Sequence, residues 1–337
     1  TWATWSLTPH IATELIDNGE LQKRIYPMSL RAQAHDIITF WLFNTVVKSQ
    51  LHNRVNPWKD VVISGHALDP HGKKMSKSKG NVVAPQEMME KYSADALRYW
   101  AAGSRLGDDL PFQEKDLVTG KKTTVKMWNA SRFVFMHLED FNPEETPLEL
   151  MDRWFLTKLH RCINACTQAF ESYEYSKAKF QVDQFFWKTL CDNYLEVCKD
   201  RLYNPEARGH QARRSAQFAL HEGLLSTLKL FAPIMPFITE EVYQNKWEGS
   251  IHTSLWPAYD ETKVDEHAEK VGDILISIIE EVRRAKSENN VSLKAPIKRL
   301  SVRAKMTQLD LNEIEDELKA ITKAEKVDFV PLEEESV

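Results

Sequence analysis

Gly72-Lys73-Lys74-Met75-Ser76-Lys77-Ser78-Lys79-Gly80-Asn81 sets four lysines within seven residues, between two glycines. Like charges crowded in this way repel, so a fold gains little from concentrating them unless an anion arrives. A polyphosphate meets that need. Lysine ammonium groups give phosphate oxygens charge-assisted hydrogen bonds worth roughly 1.5–3 kcal/mol each. Serine hydroxyls and glycine-rich backbone N–H groups add neutral donors. The order Gly-x-x-x-x-Gly-Lys-Ser/Thr is missing, so this is not a Walker A loop. A solvated basic turn, a nuclear-localisation patch or a phosphorylation patch uses the same residues, and the lysines alone do not choose between these readings.

The flanks of the loop are regular. Val61–Ile63 is a short β-branched run ending at Ser64-Gly65 and reads as a buried strand. Ser93 has the chemistry of an N-cap, and Asp95 falls in the first turn of a helix expected over Ala94–Ala102. Further upstream, His35–Ser49 carries Ile37, Ile38, Trp41, Leu42, Val46 and Val47, which predicts a helix with a broad buried face.

Downstream the pattern turns helical. Periodicity predicts long helices over 121–139, 150–171, 175–201, 211–231 and 238–246, with turn-rich breaks at Asn142–Pro147 and Asn204–Gly209. Leu220, Leu224, Leu228 and Phe231 make the core stripe of a bundle. Pro233 and Pro236 interrupt it, and Thr239, Glu240 and Glu241 restart it. From 270 a third pattern begins. Ile274, Leu275, Ile278, Ile279 and Val282 form an amphipathic helix. Strands at Leu300–Val302 and Val327–Val330 then flank a helix near Leu309–Thr322.

With 337 residues, two or three domains are the natural count. The reading divides the chain at 1–112, 113–258 and 259–337. No apolar run of about 18 residues occurs, so no membrane span is expected. The chain opens on Thr1 inside what reads as a folded segment, which marks it as part of a longer protein. Cys162, Cys166, Cys191 and Cys198 form no C-x-x-C pair and lie in apolar helical patterns; buried free thiols fit better than a metal site. The net charge of −5 does not point to a general nucleic-acid binder, so an RNA surface would have to be local. Basic residues do gather unevenly, at Lys121, Lys122, Lys126 and Arg132 and again at Arg208, Arg213 and Arg214, with Trp128 and Phe133 nearby. Unpaired bases stack on aromatic or guanidinium planes while lysines meet phosphates. A charged helix surface over a bundle core uses the same residues. Arg283 to Lys305 is a second basic stretch, with Glu288 as its acid.

Lys74-Met75-Ser76-Lys77-Ser78 matches the KMSKS signature of the class I aminoacyl-tRNA synthetases, with the usual Gly80-Asn81 behind it. The preceding strand and the following helix with Ser93-Ala94-Asp95-Ala96-Leu97-Arg98 stand where that family has them. Ala232-Pro233-Ile234-Met235-Pro236-Phe237-Ile238-Thr239-Glu240-Glu241 resembles a run in the helical domain of its valine, isoleucine and leucine members. The resemblance covers nearly the whole chain. It implies a mainly α protein: the C-terminal part of a Rossmann-type catalytic domain, then a helical-bundle anticodon-binding domain and a small α/β appendage. It also implies ATP with Mg2+ as substrate, no tightly bound cofactor, no resident metal, and a cytoplasmic monomer.

By the same resemblance, Lys77 and Lys74 are the catalytic phosphate contacts, with Ser76 and Ser78 as donors that order the loop. Gln33-Ala34-His35-Asp36-Ile37-Ile38 resembles the segment whose aspartate holds the adenosine ribose, so Asp36 joins the ATP-binding set. An N-cap role suits Asp36 equally well. Thr1-Trp2-Ala3-Thr4-Trp5-Ser6 is similar to a segment of the valine-specific members, and Trp41 matches a second tryptophan there. Trp2 and Trp41 would then wall a slot for a branched aliphatic side chain; both can instead fill core. Arg132 and Phe133 are the anticodon-contact candidates. Valine, ATP and tRNA(Val) are the implied partners. The alternatives are an isoleucine or leucine member, or a tRNA-binding protein without catalysis.

Overall fold

The computed structural model describes residues 2–142, 146–304 and 308–331; the side chain of Trp2 lies outside the described part. Packing divides the chain into two compact units. One is Thr1–Lys121 with Glu171–Ser176, the other Lys122–Phe170 with Lys177–Val337.

In the first unit, β1 (Met28–Ala34) and β2 (Trp58–Ser64) pair in parallel, from Met28 opposite Trp58 to Ala34 opposite Ser64. The pattern predicts one regular helix over 35–49. The structure opens that segment with a 3-10 turn at His35–Ile37 and a π turn at Ile38–Leu42, then runs α1 (Phe43–Asn53). The side chains of the next turn take up the widened turn's carbonyls: Asn44 Nδ2 donates to Phe40 O (2.6 Å) and Thr45 Oγ1 to Trp41 O (2.7 Å). Such π turns cluster at functional sites. The strand expected at 61–63 is longer, because Trp58 is buried at its start and anchors it.

β3 (Ala67–Leu68) follows and pairs in parallel with β4 (Leu110–Pro111). Gly65 makes this turn possible, since a Cβ there would sit 2.1 Å from Asp108 O. α2 (Ala94–Ala101) starts as the sequence predicts, with Ser93 Oγ accepting from Ala96 N at 3.1 Å. α3 (Glu114–His137) begins ahead of the expected residue 121. Gly120 lies inside it because a Cβ would meet Ala96 Cα at 2.9 Å; the glycine permits close helix contact there.

The second unit is a helical bundle. Its further helices are α4 (Leu150–Glu171), α5 (Tyr175–Gln184), a π-helical stretch Phe185–Tyr194, α6 (Leu195–Tyr203), α7 (His210–Phe231), α8 (Pro236–Tyr243) and α9 (Glu266–Glu288). The predicted stripe Leu220, Leu224, Leu228 and Phe231 is fully buried. Phe155 stacks on Tyr194 with ring centroids 3.9 Å apart. Gly223 and Gly272 admit the Phe155 and Trp154 rings, which a Cβ would meet at 2.4 and 2.3 Å.

Polar order inside the bundle centres on Asp152, fully buried on α4. Its carboxylate accepts two bonds from Arg201 (2.6 and 2.7 Å), one from Tyr194 Oη (2.5 Å) and one from Ser215 Oγ. α9 is clamped to α4 by Arg153–Asp265 (2.7 Å), Arg161–Glu269 (2.7 Å) and Lys158 to Glu269 and Asp273 (3.0 and 2.7 Å). The four cysteines are free and buried, and burial pushes the Cys191 and Cys198 thiols up to about 12.

The chain closes on the expected α/β element. β5 (Ile297–Ala304) and β6 (Ala324–Pro331) pair in parallel around α10 (Gln308–Thr322). Glu317 of α10 accepts from Arg208 at 2.9 Å and lies 3.6 Å from Arg201 Nε. Lys286 Nζ on α9 donates to the carbonyls of Leu293, Ala295 and Thr322 at 3.0, 2.7 and 2.9 Å, tying the end of α9 to the end of α10.

Candidate functional site

Parallel strands deliver their loops to one edge, and ligands of open α/β sheets bind outside the carboxyl ends of those strands. Asp36 stands two residues beyond β1, and His66 two residues beyond β2. The His35 and His66 rings meet edge to face there, with centroids 4.4 Å apart. His66 was not singled out by sequence reading; its signal is a side chain with acid–base chemistry just past a strand and a glycine, and that strand, expected to be buried, is only half-buried over Val61–Ser64.

The lysine loop leaves from β3. Its first turn is closed by Asp69, which is 4% exposed. Asp69 N donates to Lys73 O at 2.8 Å, and Gly72, at φ +73°, donates its N–H to Asp69 O at 2.9 Å. Asp69 Oδ1 accepts from His71 N (2.9 Å) and Lys73 N (2.8 Å), and its Oδ2 accepts from Asn81 Nδ2 (2.8 Å). Asn81 Oδ1 in turn accepts from Ser76 N (2.9 Å), while its Nδ2 also donates to Lys74 O (3.2 Å). The Lys73 N–H first, then the Asn81 amide, holds the Asp69 carboxyl below the usual carboxylate range. Sequence reading missed Asp69. Its signal is the turn string Asp69-Pro70-His71-Gly72, in which an aspartate caps its own backbone.

Inside this frame, Ser76 Oγ caps a short 3-10 turn at Lys77–Lys79 by accepting from Lys79 N (3.3 Å), and it lies 3.3 Å from Ser78 Oγ. Gly80, at φ +64°, ends the turn. Lys74 Nζ reaches Asp36 Oδ2 at 3.4 Å. Lys74, Lys77 and Asp36 are exposed.

Five residues after Asp36, Trp41 is 4% exposed. The Arg31 guanidinium lies 3.7 Å over its ring and Trp58 stacks at 5.4 Å. Trp41 Nε1 donates to Trp5 O at 2.9 Å. Burial pulls the Arg31 pKa down. Trp2 contributes backbone to a short helix, Trp2–Trp5.

In the bundle, Arg132 is exposed and Phe133 is half-buried, edge to face with His137 (4.7 Å) and Tyr203 (6.5 Å). Lys199 Nζ lies 5.9 Å from the Phe133 ring. Phe133 lines a small pocket with Lys126, Glu196 and Lys199, and these three also line a cleft of about 970 Å³. The cleft adds Arg283, Lys286, Lys294 and Lys323, set against Asp192, Asp200 and Glu280. In the other basic cluster two arginines meet acids, Arg208 pairing with Asp200, Asp316 and Glu317 and Arg213 with Asp140 (2.9 Å), while Arg214 donates to Gln211 Oε1 at 3.4 Å. Among the described residues, no group of His, Cys, Asp and Glu suits a metal ion, and no helix is long and apolar enough to cross a membrane.

A braced lysine loop beyond a parallel strand, followed in sequence by a helical bundle, agrees with what a class I tRNA synthetase carries. The description "tRNA synthetases class I (I, L, M and V)" matches residues 1–113, and "Anticodon-binding domain of tRNA ligase" matches 152–302. The chain belongs to the class I tRNA synthetases and carries both domains. It is 39% identical to a valine--tRNA ligase of Rickettsia conorii over 98% of its length, 42% identical to one of Anaplasma marginale over 97%, and 39% identical to one of Wolbachia pipientis over its whole length. It spans only 40–42% of those relatives. A solved Agrobacterium radiobacter LeuRS–tRNA–LeuAMS complex shares the fold, with a TM-score of 0.59 and 15% identity over 95% of this chain and 39% of that one.

Proposed function

We propose that the chain is a part of a valine–tRNA ligase, divided at 1–112, 113–258 and 259–337. It supplies the KMSKS half of the ATP site and the anticodon-binding surface. The complete enzyme forms valyl-adenylate from ATP and valine and passes valine to tRNA(Val). It works in the cytoplasm as a monomer, with ATP–Mg2+ as substrate and no resident cofactor. This part alone does not activate valine, because half the site is elsewhere.

The observation that carries the reading is the meeting of Lys74 with Asp36, at 3.4 Å, at the carboxyl end of a parallel strand. The valine carboxylate attacks the α-phosphorus, the bond to the bridging oxygen breaks, and pyrophosphate leaves with the negative charge. Lys77 and Lys74 meet that charge where it grows, so their contacts strengthen in the transition state and lower the barrier. Ser76 holds the loop backbone by capping the turn at Lys77–Lys79, with the Ser78 hydroxyl beside it. Asp36 accepts the ribose hydroxyls. Trp41, with Trp2, walls the valine slot once the Arg31 guanidinium moves off the indole face that it covers at 3.7 Å. Arg132 and Phe133 take the anticodon, next to the basic cleft lined by Lys126 and Lys199.

ATP–pyrophosphate exchange by the full-length enzyme tests the proposal. The rate should be greatest with valine. A clear preference for isoleucine or leucine overturns the substrate, and no exchange with any aliphatic amino acid overturns the activity. Measurable exchange by residues 1–337 alone overturns the division of labour.

A further inference from the structure

We infer that Asp69 and Asn81 are positioning residues that hold the lysine loop in its phosphate-ready shape before ATP arrives. The inference rests on the loop's being the phosphate-handling half of the ATP site. A charged side chain, buried beside a loop of exposed lysines, needs a reason to be there, since burying a carboxylate is costly unless its oxygens are satisfied. Asp69 is satisfied by three N–H donors, and all three belong to the loop: His71, Lys73 and Asn81. Asn81 then spans the loop from its far end, accepting from Ser76 N and donating to Lys74 O. Two side chains thus tie residues 69–73, 74, 76 and 81 into one closed frame.

Both motif lysines hang from that frame. Lys74 is gripped through its carbonyl, and Lys77 opens the turn that Ser76 caps. Without the frame, four ammonium groups would drive the loop apart. Ordering it would then fall on the bound state and weaken the transition-state contacts. Asp69 and Asn81 touch no reacting atom; they act through Lys74 and Lys77.

The polarity of the 69–81 bond supplies the test. Asp69→Asn can set amide against amide, and Asn81→Asp sets carboxylate against carboxylate. The double change reverses donor and acceptor and restores that bond, though not the contact to Lys74 O. In the full-length enzyme, each single change should lower kcat for ATP–pyrophosphate exchange by about tenfold or more, with KM for valine unchanged within about twofold. The double variant should recover about tenfold over Asn81→Asp. A merely structural role would instead lower the fraction of folded enzyme and leave kcat per active site, counted by adenylate burst, at the wild-type value.

Amide hydrogen exchange of the same enzyme reads the frame without catalysis. In Asn81→Ala, amides of residues 73–79 should exchange about tenfold faster, and those of α2 at the wild-type rate. Unchanged loop exchange, or a double variant no better than the worse single one, overturns the inference. A wild-type enzyme that fails to exchange pyrophosphate sinks the ATP-site reading instead, and the amide measurement still decides the frame.

Discussion

Lys74 Nζ lies 3.4 Å from Asp36 Oδ2, joining the lysine loop to the end of β1 across 38 positions of sequence. The side chains are 60% and 42% exposed, so solvent screens the attraction and the pair adds little stability. Its meaning is positional. The carboxylate that suits a ribose and the ammonium that suits a triphosphate share one small volume, and on the proposed reading a nucleotide entering there would exchange one partner of Asp36 for another.

From this follows a separation of effects in the full-length enzyme. Lys77→Ala should lower the rate of adenylate formation by about a hundredfold or more, the scale of losing one transition-state charge contact. Asp36→Ala should mainly raise KM for ATP. Neither should change tRNA affinity by more than about twofold, because their chemistry lies outside the anticodon domain. Rapid-quench adenylate assays and filter binding decide it. Parallel losses of adenylation and tRNA binding with Lys77→Ala would mean the loop serves RNA rather than ATP.

The Asp69 carboxyl titrates below the ordinary carboxylate range because Lys73 N–H, then the Asn81 amide, stabilise its charged form. The folded pKa is depressed, so the linked stability is present above the unfolded value and is lost as pH falls through the folded one. Loop protection should therefore persist at neutral pH and fade only in acid. Asn81→Ala removes one donor and should move the titration upward, toward the ordinary value. Carbon-13 carboxyl shifts of the two proteins over acid pH test this; identical midpoints would show that Asn81 contributes nothing.

What could be read from sequence follows how local the physics is. The Ser93 cap and the Leu220–Leu228 stripe are local patterns, and each folds as its pattern predicts. The strands and helix of the last α/β element were legible for the same reason. The π turn before α1 was not, because it depends on Asn44 and Thr45 bonding carbonyls four residues back. Nor was the fate of Arg208 and Arg213, which read as RNA-facing charge: their acid partners at 140, 200, 316 and 317 come from elements far apart in sequence. Asp69 lay hidden in an ordinary-looking turn until burial revealed its role.

Gly65 carries a steric load rather than a conformational one. An added Cβ would fall 2.1 Å from Asp108 O and 2.3 Å from its carbon, both backbone atoms that cannot swing aside. Gly65→Ala should force the Asp108 segment away, loosening the His66 N to Asp109 Oδ1 bond (2.7 Å) and the β3–β4 pairing. A loss of about 1–3 kcal/mol is expected from overpacking. Urea unfolding of the first unit's transition measures it, and a neutral result would mean the turn has slack.

Arg201 is 1% exposed and is the bidentate partner of Asp152 in the bundle. Arg201→Met keeps much of the volume and leaves the buried carboxylate with only Tyr194 and Ser215. Breaking such a pair from one side costs about 3–5 kcal/mol. The denaturation midpoint of the bundle should fall accordingly, with adenylate formation affected less than tRNA binding. A loss under about 1 kcal/mol would require that water reaches Asp152 once the guanidinium is gone.

Phe133 separates stacking from packing. Its ring is half-buried against His137 and Tyr203, so Phe133→Leu keeps an apolar filler there while removing the π-face. If an anticodon base stacks on it, tRNA affinity should drop by about 1–3 kcal/mol with little change in thermal stability. Arg132→Gln, on the exposed side of the same helix, should weaken binding through charge. It should lower the slope of log K against log salt by about one, read between about 50 and about 200 mM. Full affinity in Phe133→Leu with a lowered melting temperature would make the ring bundle core, and the RNA surface would then have to lie on the basic cleft alone.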